Sequence, residues 1–131
     1  ELFKKDKSFT KVKIDDDIRE IIATDGITPI KLQEAKTFDI SFALLLDNKG
    51  RIVSLENSCV YTYLPTSISF GFPFLVNANF ITDAGRQHLV NDSEWNRMIM
   101  GNIPNMWIRW FSLYWPFSHL HLSIKKSDFQ T

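Results

Sequence analysis

A single cysteine, Cys59, is all that this chain offers to sulfur chemistry. That excludes an internal disulfide and any multi-cysteine zinc site. Cys59 lies in the apolar run SCVYTYL and reads as a buried, inert thiol, which suits a reducing compartment. Glycine is also scarce: the five present are dispersed, and none forms G-x-G-x-x-G or a P-loop. No G-x-S-x-G elbow and no C-x-x-C occurs. An ATP site of a common kind therefore cannot be assembled from this chain alone. No run approaches the roughly 20 apolar residues that cross a bilayer, and no signal-peptide pattern is present. Charge of one sign is missing too, because fifteen basic side chains balance fifteen acidic ones. No global field draws in nucleic acid or an anionic membrane, so neither is an expected partner. The first residue is Glu1, which reads as the start of an excised piece of a larger protein or of a processed tag. The expected setting is cytoplasmic.

What is present is one domain's worth of globular chain: 131 residues, 44% hydrophobic and 23% charged. In FTKVKI, Thr10, Val12 and Ile14 alternate with Lys11 and Lys13, the pattern of a half-buried strand. DDDIREII follows with an aspartate as N-cap and Ile18, Ile21 and Ile22 at helical spacing, closed by Asp25-Gly26. Thr28-Pro29 starts a second short helix reaching Lys36, with Pro29 at its first position. From Phe38 the period becomes two, placing Phe38, Ile40, Phe42, Leu44 and Leu46 on one face. DNKG is a hairpin turn, and RIVSL and SCVYTYL complete an antiparallel meander. FPFLVNANF is a further strand, and TDAGRQHLV a short helix carrying Arg86. Asn91-Asp92-Ser93 caps a longer helix that Pro104 kinks or breaks, and WPFSHLHLSI is a final strand. These elements predict an α+β domain with a mixed or mainly antiparallel sheet, short helices packed on it, and a longer kinked C-terminal helix.

Few side chains combine into a site. His119 and His121 share one face of a strand, as two metal ligands would, but no third ligand lies nearby in sequence and a solvent face accounts for them. His88 has no nucleophile partner, since Ser93 and Cys59 lack triad company. Four tryptophans and eleven phenylalanines suggest stacking on single-stranded nucleic acid. That mode needs interleaved basic residues, and the Trp107–Trp115 run supplies only Arg109. Trp107, Trp110 and Trp115, if partly exposed, instead mark a domain or subunit contact. Arg86 follows a polar, glycine-containing turn, Thr82-Asp83-Ala84-Gly85, which lets a ligand approach closely. Its planar fork suits phosphate, although a lone arginine on a helix surface needs no function.

The run from Cys59 to Ile99 contains Tyr63-Leu64-Pro65-Thr66, Gly71-Phe72-Pro73-Phe74, Asn77, Asn79-Phe80, Gly85-Arg86 and the DSEWN series Asp92 to Asn96. Taken together these resemble the sacsin-like branch of the GHKL ATPases, relatives of the heat-shock chaperones, over about Ile14 to Ile103. The resemblance implies a domain downstream of a nucleotide-binding domain whose own motifs are absent here. It implies ATP and Mg as cofactors of the parent protein and none for this chain, with no activity expected in isolation. In the related chaperones the following domain sends an arginine to the terminal phosphate, and by that analogy Arg86 is the candidate catalytic residue of the parent. Asn77, Asn79 and Gln87 then shape or join the contact, while Trp95 packs and Asn96 caps or crosslinks a loop. The competing expectation is a structural or interaction module that dimerises or holds clients through Trp107, Trp110 and Trp115.

Overall fold

The central strand explains most of the architecture. In a computed structural model, which describes residues 3–53, 59–72 and 74–112, strand β2 runs Thr37–Asp47 with a strictly alternating burial pattern. Phe38, Ile40, Phe42, Leu44 and Leu46 are 0–9% exposed, as the period of two predicted. Strand β1, Phe3–Lys13, pairs antiparallel along the whole of one β2 edge, from Phe3 opposite Asp47 to Lys13 opposite Thr37. The chain between them makes a short excursion through helices α1, Asp16–Thr24, and α2, Ile30–Gln33. A bond from the Ile14 amide to the Lys36 carbonyl (2.9 Å) closes it. Gly26, with φ of 73°, ends α1 in the left-handed conformation that glycine adopts without cost.

The other β2 edge is shared. Strand β3, Ile52–Val53, pairs there with Leu45 and Leu46 after a turn held by the Asp47 carboxylate, which accepts from the Lys49 and Arg51 amides (both 2.9 Å). Further along the same edge, strand β6, Leu75–Ala78, pairs antiparallel with Ile40 to Ala43. Strands β4, Val60–Thr62, and β5, Leu64–Pro65, lie beyond β6, giving the order β1-β2-β6-β4-β5. Helix α3, Glu94–Phe111, covers the even-numbered face of β2. Trp95 meets Phe38 edge-on (6.4 Å between ring centroids), and Trp110 stacks on Phe42 (5.8 Å). The result is an α+β fold with a mainly antiparallel sheet and a longer C-terminal helix among the described residues.

Four details differ from the sequence reading. The expected meander fails at its third strand: β4 pairs parallel with β6 and not with β3, because alternation decides a strand's face but not its neighbour. α2 is a single turn ending at Gln33, with Pro29 at the N-cap. α3 runs unbroken through Pro104 to Phe111, its buried face of Met98, Ile99, Ile103 and Trp110 holding it to the sheet on both sides of the proline. The expected helix over TDAGRQHLV is a closed loop instead. Its ends form a Thr82–Leu89 bridge, and the Asp83 carboxylate takes the Gln87 amide (2.8 Å), a local bond that competes with helix formation. The predicted final strand WPFSHLHLSI, with His119 and His121, lies outside the described residues.

Helix α3 is docked through its first turn. The Ser93 side chain accepts from the Asn96 amide (3.3 Å) and lies 3.2 Å from the Thr28 hydroxyl. Asp25 reaches the same point from the end of α1. Its carboxylate accepts from the Ile27 and Thr28 amides (both 2.8 Å), the Thr28 hydroxyl (2.6 Å) and the Glu94 amide (2.8 Å). Partial burial alone would raise its pKa. The Thr28 hydroxyl and the three amides outweigh that and bring it down to about 2. A carboxyl depressed in the folded state stabilises the fold above its unfolded pKa of about 3.9. That contribution fades as pH falls from about 4 through 2. Denaturation followed against pH is expected to show this loss in the wild type and a flatter profile between pH 4 and 2 in Asp25→Asn.

Candidate functional site

Two non-glycine residues among those described have left-handed backbone, Tyr63 (φ 66°) and Arg86 (φ 56°), and they belong to one site. Such a conformation costs a residue with a Cβ about 1–2 kcal/mol, so surrounding bonds must hold it. Tyr63 is the apex between β4 and β5, where Thr62 opposes Leu64. Its amide donates to Asn77 Oδ1 (2.8 Å) on the adjoining strand β6. The carbonyls on either side of it, of Thr62 and Leu64, both accept from Arg86 Nη2 (3.2 and 2.9 Å). The Arg86 carbonyl in turn accepts from the Ser67 amide (3.0 Å). The hairpin is thus gripped from below by one asparagine and one arginine.

What holds Arg86 in place is the loop 82–89. The Asp83 carbonyl accepts the Arg86 amide (3.0 Å) and the Asp83 amide donates to the His88 carbonyl (3.0 Å). The Asp83 carboxylate also lies 3.0 Å from His88 Nδ1. The Gln87 amide and the His88 ring and amide hold its carboxyl below the ordinary aspartate range, outweighing a small effect of burial. Asn96 of α3 anchors the base of the loop, accepting from the Ile81 amide (2.8 Å) and donating to the carbonyls of Ile81 (2.8 Å) and Val90 (3.1 Å). One helix turn therefore positions the loop, and the loop positions the guanidinium.

Arg86 has hydrogen-bonding capacity left over. Only Nη2 is engaged, and Nη1 and Nε have no protein acceptor among the described residues. No carboxylate pairs with it there. The half-buried cation is thus anchored at one nitrogen and able to present the rest of its fork to an anion. Beside it, Tyr63 and Leu64 project apolar surface at 71% and 66% exposure.

Of the residues singled out in the sequence, Arg86 and Asn77 converge on the Tyr63 hairpin. Asn79 does not join them: its carbonyl accepts the Trp95 indole N–H (2.7 Å), which ties β6 to α3. Gln87 is exposed, and its backbone amide serves the loop. Trp95 and Asn96 act as expected, the first packed at 1% exposure and the second crosslinking the loop. Trp110 is 8% exposed, and Trp107 is half-buried and stacked on Phe74 (3.9 Å), so both serve the core; the exposed apolar residue of that helix end is Ile108. Trp115 lies outside the described residues. The sequence reading missed Tyr63, whose conformation has no sequence signature outside glycine and asparagine, and Asp83, whose place four residues before Gln87 is a loop-closing signal. Among the described residues no group of three His, Cys, Asp or Glu side chains could hold a metal, and no helix is long and apolar enough to cross a membrane.

Comparison with protein-family models, with curated proteins and with solved structures finds no match to this chain.

The grip on the hairpin generates a stability prediction. Arg86→Ala loses two bonds from a charged donor while keeping a Cβ in a left-handed position, and is expected to cost about 1–3 kcal/mol. Arg86→Gly loses the same bonds but relieves the backbone, and is expected to be more stable than the alanine variant by about 1 kcal/mol. Urea denaturation of the two variants checks the order, and equal stabilities would remove the left-handed strain from the account.

Proposed function

We propose that this chain is the coupling domain of a sacsin-like GHKL ATPase, and that Arg86 is the cation it offers to the terminal phosphate of a nucleotide held by a neighbouring domain. The observation that carries this reading is the partial engagement of Arg86: one nitrogen fixed on two carbonyls, the others without an acceptor, and no carboxylate neutralising the charge. An arginine kept only for structure gains from having its remaining donors paired; one kept for a ligand gains from having them unpaired and pre-aimed.

ATP with Mg would supply the transferable phosphoryl group from the partner domain. This chain's contribution is electrostatic. A guanidinium delivered from a separate domain offsets negative charge spread over phosphoryl oxygens, and its delivery depends on docking. Asn77 takes part indirectly, by holding the Tyr63 amide and with it the carbonyls that aim Arg86. Gln87, exposed next to it, would extend the same contact. The exposed Tyr63 and Leu64 favour a second, compatible reading in which the hairpin tip is the contact of an interaction module. That surface replaces Trp110, which is buried.

The test is ATP turnover by the longer parent, with nucleotide affinity and thermal stability measured alongside. Arg86→Ala is expected to lower turnover by about 10³-fold or more with affinity nearly kept. Arg86→Lys is expected to recover the folding midpoint better than the turnover, because a lysine can bond a carbonyl but cannot form the planar fork. Unchanged turnover in both variants would leave Arg86 as a hairpin clamp and shift the function to the Tyr63–Leu64 tip.

A further inference from the structure

Nη2 of Arg86 has two hydrogens for the two carbonyls it meets, those of Thr62 (3.2 Å) and Leu64 (2.9 Å). A guanidinium has two planar edges that grip a pair of oxygens on one anion, Nε with Nη2 and Nη1 with Nη2, and each edge needs a hydrogen of Nη2. As the hairpin holds it, Arg86 therefore offers an anion single bonds from Nε or Nη1. A two-pronged bond to a phosphate requires that one hairpin carbonyl be given up.

The local structure favours such an exchange. Tyr63, between the two carbonyls, has φ of 66°, a conformation that crowds its Cβ against the following carbonyl oxygen. The hairpin ladder does little to enforce it: of the two residue pairs, Thr62–Leu64 and Tyr61–Pro65, the second includes a proline with no amide to give. The apex is held instead by Asn77 Oδ1 on the Tyr63 amide (2.8 Å) and by the guanidinium on the flanking carbonyls. The backbone of Arg86 is fixed independently of its side chain. Its amide donates to the Asp83 carbonyl and its carbonyl accepts from the Ser67 amide (both 3.0 Å), so the side chain can pivot on a fixed base.

We propose that Arg86 is a two-position arm: it clamps the Tyr63 hairpin in the absence of an anion, and on taking a phosphate into its fork it hands back the Thr62 carbonyl and loosens the apex. The bond to Leu64, the shorter of the two, keeps the arm aimed. This rests on the reading of Arg86 as a cation directed at phosphate, and it adds a signal to that reading. The presence of the phosphate becomes a change of hairpin conformation on the same chain. A ligand shifts two states only by the difference in its affinity for them. Here the difference is the second prong, which the released arm alone possesses.

The test is a titration of the full chain with inorganic pyrophosphate at constant ionic strength, followed by heteronuclear NMR of the Arg86 Nε–H and the Tyr63 and Leu64 amides. All three signals are expected to shift with one midpoint, and the Tyr63 amide to exchange faster with solvent. Arg86→Ala, which lacks the arm, sets the background for the two amides. Tyr63→Gly suits the left-handed backbone, so it preserves the hairpin and removes the strain that favours release. It is expected to weaken pyrophosphate binding about 5-fold. A shift at Arg86 Nε with Tyr63 and Leu64 unmoved, or equal affinity in Tyr63→Gly, overturns the two-position arm. No saturable shift at Arg86 Nε overturns it as well. Turnover by the longer parent is measured separately, so a loss of turnover in Arg86→Ala beside a silent hairpin would end the exchange and keep the catalytic reading.

Discussion

The side-chain amide of Asn96 is the constraint on which the functional half of this domain depends. It is 3% exposed and bonds three backbone groups: the Ile81 amide, for which it is the acceptor among the described residues, and the carbonyls of Ile81 and Val90, which also accept the Val90 and Ser93 amides. An unmet polar group in such a place costs about 1–3 kcal/mol, so the two chain segments cannot drift from the first turn of α3 independently. The segment they bracket is the loop that carries Arg86. Trp95, one residue earlier, fixes the end of β6 through the Asn79 carbonyl in the same way. A helix that is rigid because its apolar face is buried thereby becomes the reference frame for a loop that has almost no core of its own.

That arrangement accounts for why a polar loop can hold a strained conformation. The left-handed backbone at Arg86 and Tyr63 opposes folding locally, and it survives because the bonds that fix it come from three separate elements: β6 through Asn77, the 82–89 loop through Asp83, and α3 through Asn96. Relaxing either residue would break the bonds it makes there, from the Tyr63 amide to Asn77 and from the Arg86 amide to the Asp83 carbonyl. Strain of this kind is worth maintaining where a side chain must be aimed, and here the aimed group is a guanidinium with donors unspent.

How much of this could be read from the sequence follows from the range of the interactions. The face of β2 was legible because five apolar residues at a period of two admit a single arrangement once one side is buried. The Ser93 cap and the closure of α1 at Gly26 were legible because each uses a residue type suited to its own position. The placement of β6 between β2 and β4 was not, since it rests on pairings between residues distant in the chain with the same local pattern as those of a meander. Likewise TDAGRQHLV reads as a helix by composition. A single carboxylate, Asp83, decides otherwise by capturing two amides that a helix would need. Arg86 could be found by its chemistry, whereas its orientation depends on carbonyls of Thr62 and Leu64 more than twenty residues earlier.

The two faces of the sheet divide the work on the same principle. The face under α3 is closed by aromatic rings in mutual contact, Phe42, Phe74, Trp107 and Trp110, so its aromatics are committed to packing. On the opposite face the register sets Phe9 and Tyr61 at the two ends of one row, with Ser41 and Asn77 between them, so these two rings are not packed on each other. Asn77 belongs to both regions: its side-chain oxygen accepts the Tyr63 amide, and its register places it between Ser41 and Tyr61. Asn77 thus ties the place of β6 in the sheet to the conformation of the Tyr63 hairpin, and through the Thr62 and Leu64 carbonyls to the aim of the guanidinium.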